Sequence, residues 1–127
     1  MLAGYTSVMD LTDLQHVVDR IDPTFGRVLY CGEGWYQLIF DCDRDLAALD
    51  PDYKIFQVKE KFGGLRFYFD TQRNDVFDAM NKIVRRYEDL SFSVCEITGR
   101  PGSLMKKGRW LKTLDPYVGD SQGFVLA

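Results

Sequence analysis

The run Asp41-Cys42-Asp43-Arg44-Asp45 places carboxylates at alternate positions, the opening pattern of a calcium-binding loop. Such a loop needs glycine at its sixth position and glutamate at its twelfth, and here those positions hold Leu46 and Asp52. On a helix Asp41 and Asp45 share a side while Asp43 points elsewhere, so the run reads as a solvated acidic face rather than an ion site. Nucleophilic catalysis has equally little to build on. The one histidine, His16, sits within a helical pattern far from any other motif, and Glu96 adjoins Cys95, where neighbouring strand residues face opposite ways. No Ser-His-Asp, Cys-His or paired-carboxylate spacing stands out. An enzyme would have to assemble a pocket from scattered groups such as Glu33, Glu60 and His16, so no catalytic residues and no cofactor are expected.

Two further groups bear on binding. Gly32-Glu33-Gly34 ahead of a helix could offer backbone N–H groups to a phosphate, but it lacks a third glycine and a strong preceding strand, and a helix-entry turn is the simpler reading. Bases mixed with aromatics recur twice: Lys59, Lys61, Arg66 and Tyr68, then Arg100, Lys106, Lys107, Arg109, Trp110 and Lys112. That mixture suits phosphate contact combined with base stacking, and it also suits an ordinary solvated face.

The elements that must position these residues follow from periodicity. Leu11, Leu14, Val18 and Ile21 form a helical stripe between Asp10 and Asp22, stopped by Pro23. Trp35, Leu38, Ile39, Cys42, Leu46 and Leu49 keep the same spacing and predict a second helix from about Gly34 to Leu49. The period then drops to two on either side of Gly63-Gly64, which predicts a hairpin with those glycines at the centre of the turn. In that register Phe62 faces Leu65, Glu60 faces Phe67 and Val58 faces Phe69. One face, including Phe56, is apolar except for Glu60, whose carboxylate calls for a base such as Arg85 or Arg86, or a place at the rim. Val76, Phe77, Met80, Ile83, Val84, Tyr87 and Leu90 predict a long amphipathic helix with Asn74 as N-cap, laid across the hairpin. A short apolar piece from Phe92 to Cys95, a turn-rich Thr98-Gly99-Arg100-Pro101-Gly102 and a basic stretch ending at Trp110-Leu111 follow. Residues 117–127 carry weak signals and read as a loosely ordered tail. The expected architecture is α+β in one domain over residues 1–127: two N-terminal helices, a central hairpin on a long helix, and a small C-terminal β knuckle.

Composition narrows the setting. With 46% hydrophobic and 28% charged residues among 127, the chain has the content of a folded domain. No stretch reaches the roughly 18 apolar residues of a membrane span, and the first fifteen residues lack the layout of a secretion signal. Cys31, Cys42 and Cys95 are odd in number and widely spaced, which suits free thiols in a reducing cytoplasm. Residues 1–52 hold ten acids against three bases, and residues 53–127 hold thirteen bases against nine acids. Either the molecule is electrostatically bipolar, or the two halves interleave and neutralise each other.

Four stretches together resemble a family of short, functionally uncharacterised phage and prophage proteins. They are Gly32-Glu33-Gly34-Trp35-Tyr36, the run from Gln57 to Tyr68 (QVKEKFGGLRFY), Cys95-Glu96-Ile97-Thr98-Gly99-Arg100-Pro101-Gly102, and Trp110-Leu111-Lys112-Thr113-Leu114. In that family the C-terminal part reads as a Cys-x-x-Cys-Gly knuckle followed by Cys-x-x-His, four ligands for a structural zinc. The resemblance maps those ligands onto Cys95, Thr98, Asp115 and Val118, a degenerate set from which no zinc is expected. It implies a mobile-element setting and supplies no activity. Small accessory proteins in that setting often block a host protein, including components of host defence, and the charge here is unevenly divided. The expectation is therefore a non-enzymatic accessory protein that binds and inhibits a host protein in the host bacterial cytosol. Asp41, Asp43 and Asp45 are then the expected contact, imitating nucleic acid. The alternative is a nucleic-acid-binding module using Lys59, Lys61, Arg66, Tyr68, Lys106, Lys107, Arg109 and Trp110. No membrane partner is expected, and the oligomeric state is left open.

Overall fold

A computed structural model of the chain describes residues 9–127. The stretch weighed above as a secretion signal includes residues 1–8 and so lies partly outside the described residues. The fold is α+β, as the change of period along the chain predicts, and the described residues form two three-stranded sheets where a hairpin and a small knuckle were expected.

The first sheet has the order β1-β2-β3, formed by Leu29–Tyr30, Lys54–Lys61 and Gly64–Asp70, with β1 parallel to β2 and β2 antiparallel to β3. Its inner face, with Ile55, Val58, Leu65 and Phe67, packs against helix α3 (Phe77–Ser91) and helix α2 (Tyr36–Leu49). Met80, Val84 and Tyr87 of α3 and Tyr36, Ile39, Cys42 and Leu46 of α2 complete this core around the fully buried Trp35 and Tyr53. The first stripe is less helical than its spacing predicts. A 3-10 turn at Leu11–Leu14 leads into the one-turn helix α1 (Gln15–Val18), and the inward residues are Leu14, Val17 and Ile21, with Leu11 exposed. The N-cap expected at Asn74 is also corrected. A 3-10 turn Asn74–Val76 precedes α3, and Arg73 occupies its cap position, where it pairs with Asp75 instead of capping through its side chain.

The hairpin lies where the sequence places it, but its turn is one residue earlier. The partners are Lys61↔Gly64, Glu60↔Leu65 and Val58↔Phe67, so Phe62 and Gly63 occupy the turn with φ of 54° and 86°. Both central residues of a two-residue turn of this kind need positive φ. Gly64 is glycine for another reason: a Cβ there would lie 2.3 Å from the Phe92 ring. A bulge between Ile55 and Gln57 then turns Ile55 inward and leaves Phe56 outside, against the expectation that Phe56 faces the core.

The outer edge of β3 is closed by α3. Ser91 Oγ accepts the Leu65 N–H at 2.9 Å, and Glu88 Oε2 accepts the Phe67 N–H at 3.0 Å. Burial raises the Glu88 pKa above the ordinary glutamate value, against the lowering effect of that N–H.

The second sheet has the order β5-β4-β6, from Ser103–Lys107 (β4), Trp110–Leu114 (β5) and Val125–Leu126 (β6). It covers a small core of Cys95, Met105, Leu114 and Phe124, with Val118 packed against it. The supposedly loose tail is therefore structured: helix α4 (Pro116–Ser121) and β6 both lie in residues 116–126, and β6 pairs with β4. Phe92 to Cys95 forms turns and a single bridge, Val94 to Pro101, rather than a strand.

The acidic and basic halves of the sequence interleave. β1 pairs with β2, Arg86 reaches Asp45, and Arg73 donates to the Leu49 carbonyl. No described helix is long and apolar enough to cross a membrane.

Candidate functional site

The acidic helix does not present an open carboxylate face. Asp43 is 3% exposed, which removes it as a contact residue. The Tyr53 hydroxyl donates to its Oδ1, Arg20 Nε lies 2.9 Å from the same oxygen, and His16 Nε2 lies 3.4 Å from Oδ2. The Arg20 Nε–H is too misaligned for a hydrogen bond, so that pairing is coulombic. Arg20 anchors elsewhere through the Pro51 and Tyr53 carbonyls and lies over the Tyr53 ring. Burial and then Asp43 push the Tyr53 hydroxyl pKa far above its ordinary value. Asp41 pairs with Arg44 and accepts from Gln37. Asp45 pairs with Arg44 and Arg86 and accepts the Tyr87 hydroxyl, and that hydroxyl is the largest of the influences holding its pKa low. The three aspartates expected to imitate nucleic acid are thus engaged within the molecule.

Gly32-Glu33-Gly34 is a docking point, not a phosphate cradle. The Gly32 N–H donates to Glu96 Oε2 at 2.9 Å and the Gly34 N–H to the Glu96 carbonyl at 2.7 Å. A Cβ on Gly32 would lie 2.4 Å from the Glu96 carbonyl oxygen, and one on Gly34 would lie 2.2 Å from that of Cys95. Both glycines are there because another backbone passes close by. The buried Glu96 carboxylate meets Lys112 Nζ at 3.2 Å, and Lys112 also reaches Glu60 at 3.4 Å. Glu60 therefore does form a structural ion pair, but with Lys112 rather than Arg85 or Arg86, and it also accepts the Gly63 N–H. Burial opposes protonation of Lys112, yet Glu96 and Glu60 together leave its pKa raised. Burial, then Glu96 and Glu60, push the neighbouring Cys31 thiol up to about 12, which leaves it an unreactive thiol at neutral pH.

The four knuckle positions converge. Thr98 N–H donates to Cys95 Sγ at 3.4 Å, Thr98 Oγ1 donates to Asp115 Oδ2 at 3.0 Å, and Asp115 Oδ1 accepts the Val118 and Tyr117 N–H groups at 3.0 Å each. Asp115 is thereby the N-cap of α4, and the Val118 N–H leads the influences that hold its pKa below the ordinary carboxylate value. A chain of hydrogen bonds joins the same positions that the sequence resemblance maps onto metal ligands. Among the described residues, no group of three or more histidines, cysteines or acids is placed to hold a metal ion.

The basic-aromatic residues of the hairpin do come together. Alternation along β2 and β3 puts Lys59, Lys61, Arg66 and Tyr68 on the face turned away from the core, with Lys59 opposite Arg66. The bulge adds Phe56 and Gln57 to that face, and the parallel strand adds Tyr30 beside Lys59. Phe56, Tyr68 and Tyr30 are 39%, 41% and 46% exposed. Lys54 completes four bases; Asp70 lies at the strand end, Asp19 and Asp22 line a depression together with Lys54, and Glu88 lies within electrostatic reach of Arg66. Lys59 Nζ lies 5.9 Å from the Tyr68 ring centre. Sequence reasoning missed Tyr30 and Phe56, the first because its strand is two residues long, the second because a bulge leaves no clear mark in the sequence.

The second basic group is dispersed in its roles. Lys112 belongs to the buried ion pairs, Lys107 donates to the Gln122 carbonyl, and Trp110 leans on Phe124 at 5.5 Å, while Arg100, Lys106 and Arg109 are exposed. His16, Glu33 and Glu60 do not meet. His16 lies beside Asp43, Glu60 beside Lys112, and Glu33 is exposed in the turn before α2. Of two surface depressions, one is lined by Lys82, Arg85, Arg86, Asp89, Leu90 and Ser93 along α3, and the other by Asp19, Arg20, Asp22, Arg27 and, from the basic face, Lys54. The chain matches no protein-family profile, no curated protein sequence and no solved structure.

Proposed function

We propose that the protein is a small nucleic-acid-binding accessory protein that uses the outer face of its first sheet. The observation that carries this reading is the basic and aromatic surface of Lys54, Lys59, Lys61, Arg66, Phe56, Tyr68 and Tyr30, with Lys59 directly opposite Arg66 and the rings of Phe56 and Tyr68 exposed beside them. Phosphates supply counter-charge to such a surface, and bases stack on its rings. The alternative, inhibition of a host protein through the acidic helix, loses support because Asp43 is buried and Asp41 and Asp45 are paired internally. A phage or prophage setting rests on the sequence resemblance alone.

Binding of fluorescein-labelled single-stranded and duplex oligonucleotides, followed by anisotropy over a salt series, tests the reading. The combined change Lys59→Glu and Arg66→Glu is expected to abolish binding, whereas Asp41→Lys leaves it intact or strengthens it. Wild-type protein that binds neither form at low salt would sink the proposal.

A further inference from the structure

Resting on the nucleic-acid reading above, we infer that this face selects single strands over duplexes, with bases stacked on Tyr68 and Phe56 and phosphates held by Lys59, Lys61 and Arg66. Three features of the molecule lead there. First, the exposed rings stand among the bases, not apart from them: Lys59 Nζ is 5.9 Å from the Tyr68 ring centre, and Phe56 lies on the bulge opposite Tyr68. A ring so placed can stack on an unpaired base while the adjacent amine meets its phosphate, but a duplex keeps its base faces stacked on one another.

Second, the hairpin cannot act as a ribbon entering a major groove. Its turn is docked on the second sheet, where Thr113 Oγ1 donates to the Gly63 carbonyl at 2.6 Å and a Cβ on Gly63 would lie 2.5 Å from Leu104. A groove-reading ribbon must project.

Third, the face is small. The chain as a whole carries −3, so the rest of the molecule taken together is net negative, while the second sheet and the loop before it keep Arg100, Lys106 and Arg109 exposed. The eight-residue β2 is about 26 Å long and the three strands span about 10 Å, the dimensions of a track for a few nucleotides. A flexible single strand can follow a track of that size, whereas a stiff duplex cannot bend to follow it.

The test compares labelled RNA and DNA strands of about ten nucleotides with their own duplexes, using the full chain. Single strands are expected to bind about tenfold tighter or better than duplexes, with a log–log salt slope of about −2 to −3 for three or four phosphates. Tyr68→Phe is expected to keep binding. Tyr68→Leu, which retains bulk without a π face, is expected to weaken it by about 5- to 150-fold. Phe56→Leu provides the same comparison should Tyr68→Leu lower the melting temperature. A preference for either sugar supports the inference and names the natural strand. Duplexes bound as tightly as single strands, or indifference to both leucine variants while Lys59→Glu still abolishes binding, overturn this inference and leave the nucleic-acid reading standing. No binding to any oligonucleotide overturns both.

Discussion

Replacing Asp115 by alanine tests whether hydrogen bonds hold the C-terminal knuckle in shape. The substitution removes the N-cap of α4, worth about 1 kcal/mol. It also removes the carboxylate acceptor of the Thr98 hydroxyl, and a hydrogen bond to a charged group contributes about 1.5–3 kcal/mol. The expected loss is about 3 kcal/mol, which for a chain of this length lowers the melting temperature by about 10–15 °C. The effect has a sign in pH. The Asp115 pKa is depressed in the folded protein, so its contribution is present above the unfolded value near 3.9 and is lost as pH falls through the folded value. The gap between wild type and Asp115→Ala in thermal melts should therefore be full at pH 7 and shrink below about pH 4. Asp115→Asn keeps an acceptor for the α4 N–H groups and should lose about half as much. A shift under about 3 °C at pH 7, or one undiminished at low pH, would refute the argument. The knuckle would then be held by Cys95, Met105, Leu114 and Phe124 alone.

Three further outcomes follow from the same geometry. Gly34→Ala places a Cβ 2.2 Å from the Cys95 carbonyl oxygen and should cost about 3 kcal/mol or more in urea unfolding, while Gly108→Ala, with open space around it and φ of 62°, should cost about 1–2 kcal/mol. Lys112→Met strands Glu96 and Glu60 and should destabilise by about 2–4 kcal/mol, with most of that recovered when Glu60→Gln and Glu96→Gln are added; absence of recovery argues against an ion-pair origin. Thr98→Cys, Asp115→Cys and Val118→His together with the existing Cys95 should bind cobalt(II) with a tetrahedral visible spectrum, and a silent spectrum would show that the four positions do not meet at one point.

The sequence was most informative where a pattern is local and repeated. The α2 and α3 stripes and the two hairpin strands fell where their periods place them, because each buries one face continuously. The Gly63-Gly64 pair misled by one residue, since Gly64 answers to Phe92 rather than to the turn. The basic-aromatic face survived that error. Moving the turn by one residue changes each partner by two positions and keeps the same side chains on the same side. What stayed hidden was non-local. Nothing near Asp43 announces Arg20 or Tyr53, and nothing near Gly32 announces Glu96, sixty-four residues away. The acidic run was misread because formal charge was counted before the partners that neutralise it could be known.

The closing of β3 by Ser91 and Glu88 bears on how the protein behaves in company. An unoccupied strand edge invites another chain to add a strand, the first step toward domain swapping or fibrils. Here the Leu65 and Phe67 N–H groups that would greet an incoming strand are already taken by side chains of α3. The opposite edge of that sheet is a strand of only two residues, too short to template much. Strand-by-strand growth of the central sheet is thus blocked on one side and stunted on the other. The remaining liability lies in the second sheet, where the short β6 leaves Val125 and Leu126 in solvent, and crowding or partial unfolding should begin self-association there.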